Sequence, residues 1–481
     1  MAALFILSLN LSGADPAVMR IGCMDFPATL NPVYATSETA QAVMNKLHQA
    51  LFYFDPGGGI RPELAETTHW DEERSTISIT LKKGAYFANG VAVQSRDVLA
   101  TLALLRNPLY EYPYLADLAF IEEIIAVDAL SFRIRLKGKF APWKNYLTFK
   151  VLHAGEIENM DPVAFRKHRP LGCGPYQLQA VEEPRAILLK KNPFYGPRPS
   201  FQRIVYSVLG DPRQGPLKLL TDELDAVEVQ ADEARAYARL PEWRRDFLLL
   251  QYRKFGYTYL VFNLKAPDVD FNLRKLFYNR LQASPFLEIF LKGTGEPVHS
   301  PFLALSAAVK VQRLPVVEFP PRPRRLRILA NSESVLRKQL VLFLCEEMKR
   351  FHVELEPVFV EYRTFLKYLK QGNFDLAVSA FLLDMDWNLK DVLSSSGYFN
   401  YAGLTDTVMD ALLEAGLREM DEKKRRRIYA SAHERWLESL PLIPLFNLNY
   451  AMGVSRRLKP PAAHFRTIGS SGDFFYNLQG W

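Results

Sequence analysis

At 481 residues the chain is too long for a single compact core and is expected to divide into more than one domain. Hydrophobic residues make up 48% and charged residues 23%, proportions that exclude a disordered chain and one embedded in a membrane. The net charge of +7 comes from 60 Lys and Arg against 53 Asp and Glu, interleaved along the whole length, so it confers solubility and argues against a nucleic-acid partner.

The densest basic stretches, residues 322–327 and 423–427, read as solvated faces. Three cysteines, Cys23, Cys173 and Cys345, allow at most one internal disulfide, and the eight histidines show no ligand spacing. No metal site and no cofactor are expected.

In chain order, residues 2–9 are almost wholly apolar and are followed by Ser12, Gly13 and Ala14, without a basic region ahead of them. A partial or atypical export signal is expected over 1–18. No other segment approaches the roughly 18 uninterrupted apolar residues of a membrane span. A strand is predicted at 21–24 and a helix from Ser37 through 51. Period-2 alternation marks a strand at 76–81, and a helix follows at 95–105 with Ser95 as its cap and Asp97 in the first turn. Further strands are predicted at 186–189, 203–209, 257–263, 327–329, 354–360 and 375–379. Helices are predicted at 215–220, 273–281, 335–351, 362–371, 408–417 and 422–440. Strands alternating with helices give an α/β class with largely parallel sheets. The prolines at 315, 320, 321 and 323 predict an extended surface segment over 314–325.

No nucleophile elbow, P-loop, dinucleotide-binding fingerprint or H-E-x-x-H motif is present. The glycine run 57–59 lacks the Lys and Ser or Thr that handle phosphate, and reads as a hairpin turn before Arg61 and Pro62. Asp384 and Asp386 are close, but spacing alone does not make an acid and a base. Gly84 and Gly90 suit turn positions with positive φ. Tyr176, Phe194, Tyr195, Tyr257, Tyr259 and Phe262 read as core.

Several separate stretches, in order, resemble the bacterial family 5 extracellular solute-binding proteins: MRIGCMDFPATLNPV (19–33), HQALFYFDP (48–56), the block 61–102 around LKKGAYFANG, LGCGPYQL (171–178), 191–212, TDELDAVEV (221–229), YLVFNLKAPDVDFNLRKLF (259–277), and FLKYLKQGNFDLAV (365–378) with 399–415. The resemblance implies a class II periplasmic-binding-protein-like α/β fold of two lobes joined by a hinge. It places a first lobe over 19–47, 168–253 and 447–481, an inserted subdomain over 48–167, and a second lobe over 254–446. It implies a non-catalytic, monomeric component of an ABC importer at the periplasmic or extracellular face. That component would close around short peptides and deliver them to a permease. A nickel chelate, haem or opine is the alternative ligand class, and a sensor without transport the alternative role.

The same resemblance proposes site residues. Asp384 falls where relatives hold the peptide amino group, with Asp386 as the competing carboxylate and Phe381 in place of a tryptophan. The backbone of Ala380, Phe381 and Leu382, and on the first lobe that of Tyr34, Ala35 and Thr36, would hydrogen-bond an extended peptide by strand addition. Trp387 and Tyr398 would line side-chain pockets. Dipeptide-binding relatives hold the ligand carboxylate with an Arg just before the helix near 335, where this chain has Asn331 and Ser332, with Arg337 following.

Overall fold

The computed structural model describes residues 15–55, 59–281, 283–303, 313–315, 324–383, 386–459, 466–468, 473–476 and 478. The chain forms two compact units. One is assembled from Met1–Lys137, Lys144–Arg253 and Tyr450–Trp481, the other from Gly138–Trp143 and Lys254–Asn449.

The first unit is organised by an eight-stranded sheet. Its spatial order is Arg466–Ile468, Phe247–Lys254, Asn449–Ser455, Ala226–Val229, Val18–Cys23, Arg203–Val208, Ala186–Lys191 and Tyr176–Glu182. Val18–Cys23 runs parallel to Arg203–Val208 and to Ala226–Val229. Ala186–Lys191 runs antiparallel to Arg203–Val208 and to Tyr176–Glu182, and Asn449–Ser455 runs antiparallel to Ala226–Val229. The expectation of largely parallel sheets is therefore corrected to mixed ones. Tyr176–Glu182 and Ala186–Lys191 are joined by a short turn, and strands so joined pair only antiparallel. A separate four-stranded sheet, wholly antiparallel, orders Ala65–Asp71, Thr76–Leu81, Ser131–Leu136 and Ile121–Ala126.

Helix Glu38–Leu47 packs on the large sheet through Ala40, Val43, Met44 and Leu47. The Ser37 hydroxyl accepts from the Ala40 N–H at its amino end. It stops four residues short of the predicted end, at His48, whose backbone is extended. Beyond it the chain passes against 172–174. A Cβ on Gly174 would lie 2.5 Å from the Lys46 carbonyl oxygen, so only glycine lets the two backbones approach. Helix Ser95–Arg106 is capped one residue earlier than predicted, at Gln94. Asp97 accepts the Gln94 N–H at 2.8 Å, while the Ser95 hydroxyl donates to the Asp128 carbonyl instead. Gly84 and Gly90 have φ of 81° and 85°, as their turns require.

The second unit holds a six-stranded sheet in the order Glu296–Pro297, Leu442–Asn447, Gly256–Phe262, Leu376–Leu382, Arg324–Asn331 and Val353–Val360. Gly256–Phe262 is buried along its whole length. Tyr257, Tyr259 and Val261 pack with helices Tyr362–Gln371, Thr407–Arg418 and Glu422–Ser439, whereas Leu260 and Phe262 pack with Phe271–Arg280 and Val335–Lys349. Covering both faces explains why this strand is largely apolar and buried on both sides, with Thr258 its one buried polar side chain.

Most residues expected in the core are buried, but Phe194 is exposed at a turn. Of the basic stretch 423–427, expected to be a solvated face, Arg425 turns inward and pairs with Asp386. The proline-rich 316–323 and the export-signal residues 1–14 lie outside the described residues, and Val18 already belongs to the first strand. All three cysteines are free. No helix among the described residues is long and apolar enough to cross a membrane.

Candidate functional site

In the second unit, strand Leu376–Leu382 pairs along its length with Gly256–Phe262, from Gly256↔Leu382 to Phe262↔Leu376. On its other side Arg324–Asn331 meets it only at Leu376 and Ala377. Among the described residues, the backbone of 379–382 therefore has no strand partner on that edge. Ala380 and Leu382 are exposed and Phe381 is half-buried, its ring 4.8 Å from that of Tyr257 and 4.6 Å from that of Tyr259. A free edge with alternating side chains is a template for an added strand. The close pairing that holds it depends on Gly256, where a Cβ would lie 2.1 Å from the Phe381 carbonyl oxygen.

The strand leads into 384–385, which lie outside the described residues, so the expectation for Asp384 falls there. Asp386 is engaged within the protein. It accepts two hydrogen bonds from the Arg425 guanidinium, and both side chains are 12% exposed. Trp387 packs edge-on against Tyr429 at 5.9 Å, with the guanidinium of Arg425 and that of Arg426 each 5.7 Å from its ring centroid. That packing occupies the indole. Tyr398 is 64% exposed, and its hydroxyl meets the Lys370 ammonium, which also lies 4.2 Å from the ring centroid.

One residue that entered the sequence reading only as a displaced relative of a carboxylate-binding arginine stands out. Arg337, in the first turn of helix Val335–Lys349, donates from Nη1 to Asn331 Oδ1 at 2.7 Å. Burial holds its guanidinium below the ordinary arginine range, and Tyr362 and Tyr259 act in the opposite direction. Among the described residues no carboxylate forms an ion pair with it. A desolvated cation without an anion is poised to receive one. The sequence signal was a basic residue in a helix's first turn, where cations are disfavoured by the dipole.

In the first unit, Tyr34, Ala35 and Thr36 lead into helix Glu38–Leu47. Asn31 fixes this loop: its Oδ1 accepts the Val33 N–H at 3.0 Å and its Nδ2 donates to the Phe165 carbonyl at 2.7 Å. The Tyr34 hydroxyl donates to the Tyr110 carbonyl at 2.6 Å, and the Arg166 guanidinium lies 5.3 Å from its ring centroid. Ala35 is buried in the core, so only its backbone is available for a ligand, and Thr36 is exposed. Among the described residues no three His, Cys, Asp or Glu side chains are grouped to hold a metal.

The sequence model described as bacterial extracellular solute-binding proteins, family 5 middle, matches residues 59–400. The oligopeptide-binding protein AppA of Bacillus subtilis is 18% identical over 96% of this chain and 90% of its own length. Its solved structure in complex with a nonapeptide superposes with a TM-score of 0.75, covering 96% of this chain and 98% of that one. NikZ of Campylobacter jejuni, solved with Ni(L-His), gives a TM-score of 0.75 at 19% identity, covering 97% of this chain and 100% of that one. The fold is thus the two-lobed α/β architecture of these binding proteins. With the matched segment running through both units, the chain belongs to the bacterial extracellular solute-binding proteins, family 5.

Proposed function

We propose that this protein is the substrate-binding component of an ABC importer, capturing short peptides and handing them to a membrane permease. The observation that carries this reading is the unpaired edge of Leu376–Leu382 beyond Ala377. Backbone hydrogen bonds along such an edge recognise any extended peptide and leave side-chain choice to the surrounding pockets. The likeness to AppA, which binds oligopeptides, supports it.

In this reading Asp384 receives the peptide ammonium, because Asp386 is already satisfied by Arg425. Arg337 receives a carboxylate. The backbone of Tyr34–Thr36 meets the ligand from the first lobe, with 48–167 as a subdomain inserted in that lobe, and closing the lobes buries the peptide. The protein acts as a monomer at the periplasmic or extracellular face and cleaves nothing.

Calorimetry with one free-amine peptide and its N-acetylated form, on the unaltered protein and on Asp384→Asn, tests the proposal. Losing the charge pair weakens binding of the free-amine peptide by roughly 2–5 kcal/mol, and the acetylated peptide binds both proteins equally poorly. Tight binding of Ni(L-His) with no response to any peptide would overturn it.

A further inference from the structure

The same two stretches of chain are neighbours in both large sheets. Phe247–Lys254 lies beside Asn449–Ser455 in the eight-stranded sheet, and Gly256–Phe262 lies beside Leu442–Asn447 in the six-stranded one. Each stretch leaves one sheet for the other across a single residue that belongs to neither strand, Phe255 in the first passage and Leu448 in the second. The chain divides at the same places: the longer stretch of the second unit begins at Lys254 and ends at Asn449. Two strands passing side by side from one unit to the other are a place where a bend is absorbed, in the φ and ψ of a few residues at the strand ends.

On the side of the second unit both passages are tied down. The ladder between Gly256–Phe262 and Leu442–Asn447 ends at Thr258↔Phe446, and Asn447 pairs with Glu296 instead. Its side chain reaches back to the other passage, where Nδ2 donates to the Lys254 carbonyl at 3.0 Å across 193 residues of sequence. The next carbonyl, that of Phe255, accepts the Leu383 N–H at 2.6 Å, and Gly256 then pairs with Leu382. Asn447 is 7% exposed, and a buried amide donor is kept in its bond by the cost of losing it. Both peptide planes around Phe255 are thus held to the second unit, which leaves Phe255 unable to act as a free pivot.

We infer, on the reading that the protein closes its lobes on a ligand, that Asn447 is a positioning residue for that movement: its hydrogen bond carries Lys254 and Phe255 along with the second unit and confines the bend of the first passage to the Arg253–Lys254 step. Leu383, next to the free edge of 379–382, holds the following carbonyl, so the strand that meets the ligand and the bend share one backbone junction. Without the Asn447 donor the Lys254–Phe255 peptide plane is released. The bend then spreads over 254 and 255, and the lobes sample more separations before any ligand arrives.

Pulsed electron–electron double resonance on the ligand-free full chain tests this, with nitroxides at Lys190→Cys in the first unit and Ser431→Cys in the second, both exposed positions, and the half-buried Cys23 replaced by Ser. Asn447→Leu raises the population outside the main distance peak by about fivefold, the weight of one net hydrogen bond. Asn447→Asp, which keeps the shape and lacks the donor, does the same, so a folding defect peculiar to leucine does not decide the outcome. Asn449→Leu, two residues further along the second passage, leaves the distribution as it is. A distribution unchanged in both Asn447 variants, or one broadened equally by Asn449→Leu, would overturn the inference. Because no ligand is added, the result is independent of whether the protein binds peptides, which the calorimetry on Asp384→Asn decides.

Discussion

Arg425 grips Asp386 in a two-bond fork, Nη1 to Oδ2 at 2.8 Å and Nη2 to Oδ1 at 2.6 Å, across 39 residues of sequence. Planar fork-to-fork pairs combine charge with direction, so the carboxylate is both neutralised and fixed. Asp386→Asn therefore acts on folding: it leaves the half-buried guanidinium unmatched and lowers stability by about 2–3 kcal/mol, short of the fully buried case. Urea unfolding measures the loss, and peptide affinity per folded molecule stays unchanged. A loss of affinity with stability intact would move the ammonium contact from Asp384 to Asp386.

Arg337 gives the complementary expectation at the other end of the ligand. Arg337→Met keeps the length of the stem and removes the cation. Affinity for a peptide with a free carboxylate falls by about 2 kcal/mol, whereas its C-terminal amide binds both proteins alike. Calorimetry with the two peptide forms separates this from a general loss of packing.

Gly256→Ala places a Cβ where the Phe381 carbonyl oxygen now sits, at 2.1 Å, and the contact is backbone, which cannot swing aside. The strand pair must part locally, lowering stability by about 3 kcal/mol and disordering the free edge of 379–382. Thermal unfolding reports the first effect and peptide binding the second. Gly59→Ala, where nothing lies within 4 Å, is the control.

Burial holds the His48 imidazole down at about 3, with nearby Lys150 adding to the effect. The folded state thus refuses a proton that the unfolded chain accepts near pH 6.5. Stability from this group is complete above that pH and is lost as pH falls from 6.5 toward 3, by about 1.4 kcal/mol per pH unit at most. His48→Gln should flatten the stability profile between pH 6 and pH 4 relative to the unaltered protein. Parallel profiles would show that His48 is accessible to protons when folded.

The elements that were legible in the sequence are those whose signal is local. Thr76–Leu81 shows its alternation and Tyr362–Gln371 its helical period, ended by Gly372 at φ 67°. Strand direction was not legible, because it depends on partners such as Asn449–Ser455 and Ala226–Val229 that are far apart in the chain. Leu442–Asn447 escaped notice as a strand: it is buried at all six positions and so shows no alternation, and Pro444 sits inside its short apolar run. The engagement of Asp386 was hidden because its partner is 39 residues away in the chain. Its partner lies in 423–427, where Lys423, Lys424, Arg426 and Arg427 are exposed and only Arg425 faces inward. A basic run read as a solvated face was right for four residues and wrong for the one that engages Asp386.

Asn449–Ser455 stands inside the large sheet, between Phe247–Lys254 and Ala226–Val229, yet it comes after the whole of the second unit in the chain. During synthesis the second unit can be complete while the first still has a slot with two raw strand edges. Such edges invite pairing with other chains. Asn449–Ser455 therefore acts as the keystone of the large sheet, and a nascent chain stalled before it carries a complete second unit while the sheet is still open to aggregation or to a chaperone.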